Sequence, residues 1–503
     1  MVKDDLMRWL AFGLIALAVL IFYFPSLYFP PRADQVIYLS ETSGLGQRPW
    51  DLIVGCYDHN RHRTIAPGDE LLFRPLLYAM LGTEQVVLGH HFWVWQLIGL
   101  AGHLILIWFL LRLLWHLSGG WFAFAGTWLF ALSIFNYELV TWPHLSSYLL
   151  MMACMVGAIE QMVFCFEENG VSRARVARML VYFFIACFIY ETANIWALFI
   201  TGLLVISFPK TRARLFILAL PVILYAFLSY FNYVYVDHVS HGPVTGIMKG
   251  MVFGRSVLAF FYLSFWWLYE GLFNGLYHYM LGIRTMFFPN EVMRFKPLIF
   301  NDPQVVLQFM ILAAFIGLAW IGRRSFKNFK FLIVLLALLA SYVAVIVIGR
   351  RQEMGTLWAA VGVNSYFLYM YWVIVVIMAF LLLKVKEATR LKQGLMVVFI
   401  AASLLSGLWQ GKRIYGMCLH YSNATNNTVL LVTTLDYLIQ EKESEPNFSF
   451  YVDPEYPGNY PYGSIRKVTD PLQKEYSFAE FLYPQYFRPR AEARYKFLAA
   501  KKR

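Results

Sequence analysis

Residues 9–29 read WLAFGLIALAVLIFYFPSLYF, and residues 92–115 read FWVWQLIGLAGHLILIWFLLRLLW. Each is long enough to cross the hydrocarbon core of a bilayer as a helix, which takes about 20 apolar residues. The first is too long for a signal-peptide core and lacks a small-residue cleavage site, so it is read as a retained helix. Working outward from these two, apolar segments recur at about 119–137, 145–165, 176–189, 192–208, 215–236, 304–322, 331–349, 364–383 and 394–410. The expected fold is an all-α polytopic membrane protein of about eleven transmembrane helices.

Composition agrees with this reading. Of 503 residues, 59% are apolar and 14% charged, against about 45–50% and about 25% in soluble domains. That balance excludes a soluble enzyme, and the 18% of aromatic residues excludes a low-complexity chain. The net charge of +12 is read as topology and not as a nucleic-acid surface, because Lys and Arg collect in cytoplasmic loops. Short basic hinges carry Arg173, Arg175 and Arg178; Lys210, Arg212 and Arg214; Arg323, Arg324, Lys327 and Lys330; and Lys384, Lys386, Arg390 and Lys392. Placing these inside puts the N-terminus in the cytoplasm, and the loop at about 30–90 and the tail outside.

Simple alternation fails at 256–283, SVLAFFYLSFWWLYEGLFNGLYHYMLGI, because the loops on both sides fall on the outer face. This stretch is expected to be an interfacial or re-entrant helix. The chain is therefore divided into a transmembrane domain at 1–410 and an extracytoplasmic C-terminal domain at 411–503. The latter has a helical stretch followed by strand-like residues with turn punctuation, and is expected to be small and α/β.

Ionisable residues at the membrane are costly unless paired or functional, which singles out four places at the outer face. Asp34 follows the first helix in RADQ. Arg74 closes the first loop in FRPLL, where a guanidinium suits bidentate phosphate recognition. Glu138 lies in the turn NYELVTW, and Glu191 interrupts a long apolar stretch in YET. His103, in AGHLILI, reads first as a hydrogen-bonded packing residue. The histidines and acids of the first loop lack zinc or calcium spacing, and the five cysteines form no metal or redox motif. No Walker loop, dinucleotide fingerprint or nucleophile elbow occurs in its required context.

Taken in order, these segments resemble the bacterial members of the GT-C superfamily, multipass glycosyltransferases that use lipid-phosphate-linked sugars, including relatives of the protein O-mannosyltransferases. The resemblance rests on Asp34 after the first helix, on Phe73 to Leu76, on the helix with His103, on LFALSIFNYELVTW at 129–142, and on the hairpin with Glu191. It covers about the first 200 residues closely and the later helices by topology. Relatives carry paired acids where Asp34 is followed by Gln35, a proline at the place of Ile134 or Phe135, and a late arginine-tyrosine element approximated here by Arg350, Arg351 and Tyr366.

What the resemblance implies is an inverting transfer of sugar from a polyprenyl-phosphate-linked donor to a glycan, lipid or protein acceptor. Asp34 is then the catalytic base; Arg74, Arg350 and Arg351 bind the donor phosphate; Glu138, Glu191, His103 and Tyr366 line the acceptor and donor pocket. No cofactor and no metal ligand set is expected. The expected place is a bacterial inner membrane, with the active site and C-terminus periplasmic. Competing readings are a lipid-linked glycan transporter or flippase, which calls for repeat symmetry that the halves of the chain lack, and an O-antigen polymerase or ligase.

Overall fold

The computed structural model describes residues 2–29, 74–88, 91–142, 145–235, 260–261, 263–264, 267–268, 303–322, 329–349, 365–382, 390–442, 468–469 and 475–476. Asp34, Arg350, Arg351 and most of the 30–90 loop lie outside these residues. The helices are α1 (Val2–Tyr23), α2 (Pro75–Leu88), α3 (Phe92–Ser118), α4 (Gly120–Ala131), α5 (Tyr137–Thr141), α6 (Ser146–Glu167), α7 (Arg173–Cys187) and α8 (Glu191–Ser207). They continue as α9 (Leu220–Tyr235), α10 (Pro303–Gly322), α11 (Phe329–Gly349), α12 (Ser365–Leu382) and α13 (Arg390–Lys442). Among the described residues five stretches are long and apolar enough to cross a membrane, or six when a bent pair is taken as one span. Shorter apolar helices stand at 191–207, 309–318, 331–347 and 368–381.

From α1 to α8 successive spans run in alternating directions, and their polar ends pair. At one end Trp115 Nε1 donates to Asp4 Oδ1 at 3.1 Å and Arg112 Nη2 to Glu160 Oε2 at 3.1 Å. His116 bonds Glu167 and Arg175 bonds Glu168 at the same end. The opposite end carries Phe29, Arg74, the start of α3, α5, the start of α6 and the hinge between α7 and α8. Phe29 and Arg74, the described residues on either side of 30–73, are thus both at that second end, the one on which sequence reading places the candidate site.

The segment expected as one helix over 119–137 is broken. α4 stops at Ala131, Ser133 is extended, and the helical turns that resume at Ile134 are bent by 52° from α4. Backbone freed inside a membrane must find partners within the protein, and here side chains from three elements supply them. His103 Nε2 faces the Ala131 carbonyl at 3.1 Å, Gln410 Oε1 accepts from the Ile134 N–H at 3.2 Å, and Asn136 Nδ2 donates to the Phe130 carbonyl. Gly99 lets α3 approach this bend, since a Cβ there would lie 2.6 Å from the Val140 carbonyl oxygen.

The last span also differs from expectation. α13 is one helix of 53 residues, about 80 Å long at 1.5 Å per residue, so the span expected at 394–410 and the helical stretch expected after it are continuous. Only Gln393–Leu419 of it qualifies as a membrane span. Beyond it the described residues hold two short antiparallel strands, β1 (Val468–Thr469) and β2 (Glu475–Tyr476); the rest of the expected α/β domain lies outside them. Of the 256–283 segment, Trp267 is buried and its carbonyl accepts from Trp372 Nε1 at 2.9 Å, while the Ser264 carbonyl accepts from Tyr371 Oη at 3.1 Å. These bonds seat the segment on α12; its remaining course lies outside the described residues.

Candidate functional site

The site is built where α2, α6, α7 and α8 meet. α7 ends at Cys187, leaving carbonyls without helical partners, and two groups meet them. The Leu76 N–H, itself an orphan of the first turn of α2, donates to the Phe188 carbonyl at 3.1 Å, and Asn194 Nδ2 donates to the Cys187 carbonyl at 3.1 Å. Pro75 opens α2 at the position where a missing N–H costs nothing. Two helix ends are thereby fastened, and Arg74 is delivered to the α7–α8 hinge.

That hinge carries Tyr190 in extended conformation and Glu191 as the first residue of α8, where the helix dipole favours a carboxylate. Arg74 Nε donates to Glu191 Oε1 at 2.7 Å and Nη2 to Oε2 at 3.0 Å, the fork geometry of a bidentate pair. Nη1 donates to Tyr148 Oη at 2.9 Å. The guanidinium carbon lies 4.7 Å from the centre of the Tyr190 ring, and Tyr190 meets Tyr148 edge to face at 5.0 Å. Both charged side chains are half-buried. A guanidinium has five N–H bonds; three are used here among the described residues.

Two of the sequence-derived candidates, Arg74 and Glu191, are therefore in direct contact although 117 residues apart in sequence. His103 lies deeper, seven residues beyond Gln96 on α3, and is fully buried. Its Nε2 faces a carbonyl, which fixes that nitrogen as the donor, and Nδ1 then accepts from Tyr369 Oη at 2.7 Å. Both ring nitrogens are thus engaged within the protein at the α4–α5 break. Glu138 is half-buried in the first turn of α5, and Tyr366 lies in α12. Among the described residues no group of three or more His, Cys, Asp or Glu side chains is placed to hold a metal.

Sequence reading missed four participants: Tyr148, Tyr190, Glu84 and Ser146. Glu84 is half-buried on α2, and its Oε1 accepts from Ser146 Oγ, in the first turn of α6, at 3.1 Å. Burial pushes its carboxyl up to about 7, against a smaller opposing effect of the Ser146 hydroxyl. The available signal was an acid inside PLLYAMLGTEQVVL, an apolar run too short to span. Arg74, just before α2, and Glu84, on it, both reach the first turn of α6, at Tyr148 and Ser146. α2 accordingly lies across the end of α6.

No protein-family model matches the chain, and no curated protein does. Among solved structures the chain is similar to the crystal structure of the Archaeoglobus fulgidus oligosaccharyltransferase, which is tethered with an acceptor peptide containing the NVT sequon via a disulfide bond. The identity is 12% and the TM-score 0.43, over 90% of this chain and 61% of that chain. The chain thus spans less than two thirds of the length of that protein.

Proposed function

We propose that the chain is a membrane glycosyltransferase of the GT-C kind, taking sugar from a polyprenyl-phosphate-linked donor and passing it to an extracytoplasmic glycan, lipid or protein. The observation that carries this reading is the Arg74 guanidinium, held by Glu191, Tyr148 and Tyr190 at the end of an apolar helix bundle, with two N–H bonds that no described residue takes up. A polyprenyl chain calls for apolar helix surfaces, and its phosphate for a fixed cation where those surfaces meet water. Arg74 provides that cation, and Arg350 and Arg351 are its proposed companions.

In this reading Asp34 takes the proton from the acceptor hydroxyl as its oxygen attacks the anomeric carbon. The bond from that carbon to the phosphate oxygen breaks, polyprenyl phosphate departs with the electron pair, and the anomeric centre inverts. An ordinary Asp, with a pKa of about 3.9, is a weak base at neutral pH, so partial desolvation in the first loop is part of the proposal. Arg74 offsets the charge growing on the leaving phosphate. Glu191 orients Arg74, Glu138 and Tyr366 belong to the pocket wall, and His103 supports the bend behind it. The proposed setting is a bacterial inner membrane with the site on the periplasmic side.

The test is transfer of labelled sugar from polyprenyl-phosphate-linked donors in membranes containing the full chain. Wild type should transfer and Asp34→Asn should fall by about 100-fold or more, the usual worth of a general base. An Asp34→Asn protein with full activity removes Asp34 from the chemistry.

A further inference from the structure

We propose that Glu84 and Ser146 form a subsite for two neighbouring hydroxyls of a saccharide acceptor. This rests on the transferase reading and deepens it by naming the acceptor class and the groups that recognise it. Glu84 is the only charged residue of α2, and a helix lying across the end of a bundle offers outward positions where a carboxylate costs nothing; its neighbour Thr83 occupies one. Glu84 instead turns toward α6, where its recorded partner among the described residues is one neutral hydroxyl.

A carboxyl taken from water without a cation is costly, and the local guanidinium is already committed to Glu191. Burial holds the Glu84 carboxyl near 7, so at neutral pH it exchanges readily between accepting and donating a hydrogen bond. Oε2 has no protein partner among the described residues, and it is not sealed from solvent. Ser146 is buried and gives its proton to Oε1, which keeps a further lone pair. The two carboxylate oxygens, held in place by Ser146, therefore stand side by side as the complement of two adjacent O–H donors on a sugar ring.

The spacing fits the order of groups in a transfer. Glu84 is ten residues beyond Arg74, which immediately precedes α2, so their backbones are about 15 Å apart along the helix axis. Both side chains turn to the first turn of α6, so the carboxylate stands beside the phosphate cation without sharing its partners, where it suits an acceptor hydroxyl other than the attacking one. The first turn of α6 contacts both points, Tyr148 at Arg74 and Ser146 at Glu84, so the two are held in fixed relation.

The experiment measures how donor sugar is partitioned. The full chain, in membranes that retain their own glycans, is given polyprenyl-phosphate-linked sugar carrying a label. Label joined to glycan is compared with free sugar released when water attacks the anomeric carbon instead. Glu84→Gln keeps an oxygen to accept from Ser146, so the fold is retained, checked by size exclusion and melting temperature. The proposal expects the ratio of transfer to hydrolysis to fall about tenfold or more, the worth of a hydrogen bond to a charged group, with hydrolysis within about twofold of wild type and Glu84→Asp between.

An unchanged ratio in an active Glu84→Gln protein overturns the subsite and leaves the transferase reading standing. A folded variant that loses hydrolysis and transfer together places Glu84 at the donor and also overturns it. A wild type that neither transfers nor releases sugar overturns the transferase reading and the subsite with it.

Discussion

Removing either partner of the Arg74–Glu191 pair should cost far more than a surface ion pair, and the two losses should not add. Exposed pairs are worth about 0.2–1 kcal/mol, whereas stripping one partner from a buried pair costs about 3–5 kcal/mol. Here both side chains are half-buried, with exposures of 17% and 24%, and two bonds of 2.7 and 3.0 Å join them. We therefore expect Arg74→Met and Glu191→Ala each to cost about 2–3 kcal/mol, and the double variant to fall short of their sum by about 2 kcal/mol. Glu191→Gln, which keeps one acceptor, should cost about half as much as Glu191→Ala. The assay is reversible unfolding in mixed micelles titrated with SDS, followed by far-ultraviolet circular dichroism. Because the pair is partly shielded, the coupling should change little between low and moderate salt. A coupling below about 0.5 kcal/mol, the scatter of independent sites, would show that Arg74 is not held by Glu191 and would undo the geometry on which the donor site is built.

Three further outcomes follow from other parts of the bundle. Glu84 has an ordinary value of 4.5 raised to about 7, so the folded protein binds the extra proton and stability falls as pH rises across that window. At about 1.4 kcal/mol per unit the effect is at most about 3 kcal/mol; the melting temperature should be higher at pH 5.5 than at 7.5 in wild type, and the difference should vanish in Glu84→Gln. His103→Leu leaves the Ala131 carbonyl without its partner and should cost about 1–3 kcal/mol, whereas Tyr369→Phe should cost about 0.5–2 kcal/mol; a neutral His103→Leu in the same SDS titration counts against the assigned role at the bend. Gly99→Ala places a Cβ 2.6 Å from the Val140 carbonyl oxygen and should cost about 1–3 kcal/mol, read as a lower yield of monodisperse protein.

The helices were legible because apolar runs of membrane length have few alternatives. What stayed hidden has physical reasons. The break after Ala131 falls in LSIFN, which has neither proline nor glycine, and its stability comes from His103, Asn136 and Gln410; two of these are remote in sequence. The end of a membrane span is a change of solvent, not of backbone, so α13 runs on past the apolar run at 394–410 with nothing in its backbone to mark where that run ends. α2 was lost inside a loop judged by its charges. Arg74 and Glu191 were each singled out by the cost of a charge beside a membrane, yet nothing local pairs residues that the chain separates by six helices. Tyr148 and Tyr190 carry no sequence signal in so aromatic a chain, because their role exists only once Arg74 has arrived.

The central claim is that this end of the bundle holds a lipid-linked phosphate, and its most direct test is binding of polyprenyl phosphate to the full chain in lipid nanodiscs, read as a shift of melting temperature. Each variant is compared with its own unliganded state, so that any loss of fold stability cancels. Ligand at 100 times its dissociation constant should stabilise by about 2.7 kcal/mol in wild type and in Asp34→Asn, and by much less in Arg74→Ala. No stabilisation of wild type at saturating polyprenyl phosphate, or the same shift in Arg74→Ala, would contradict the account.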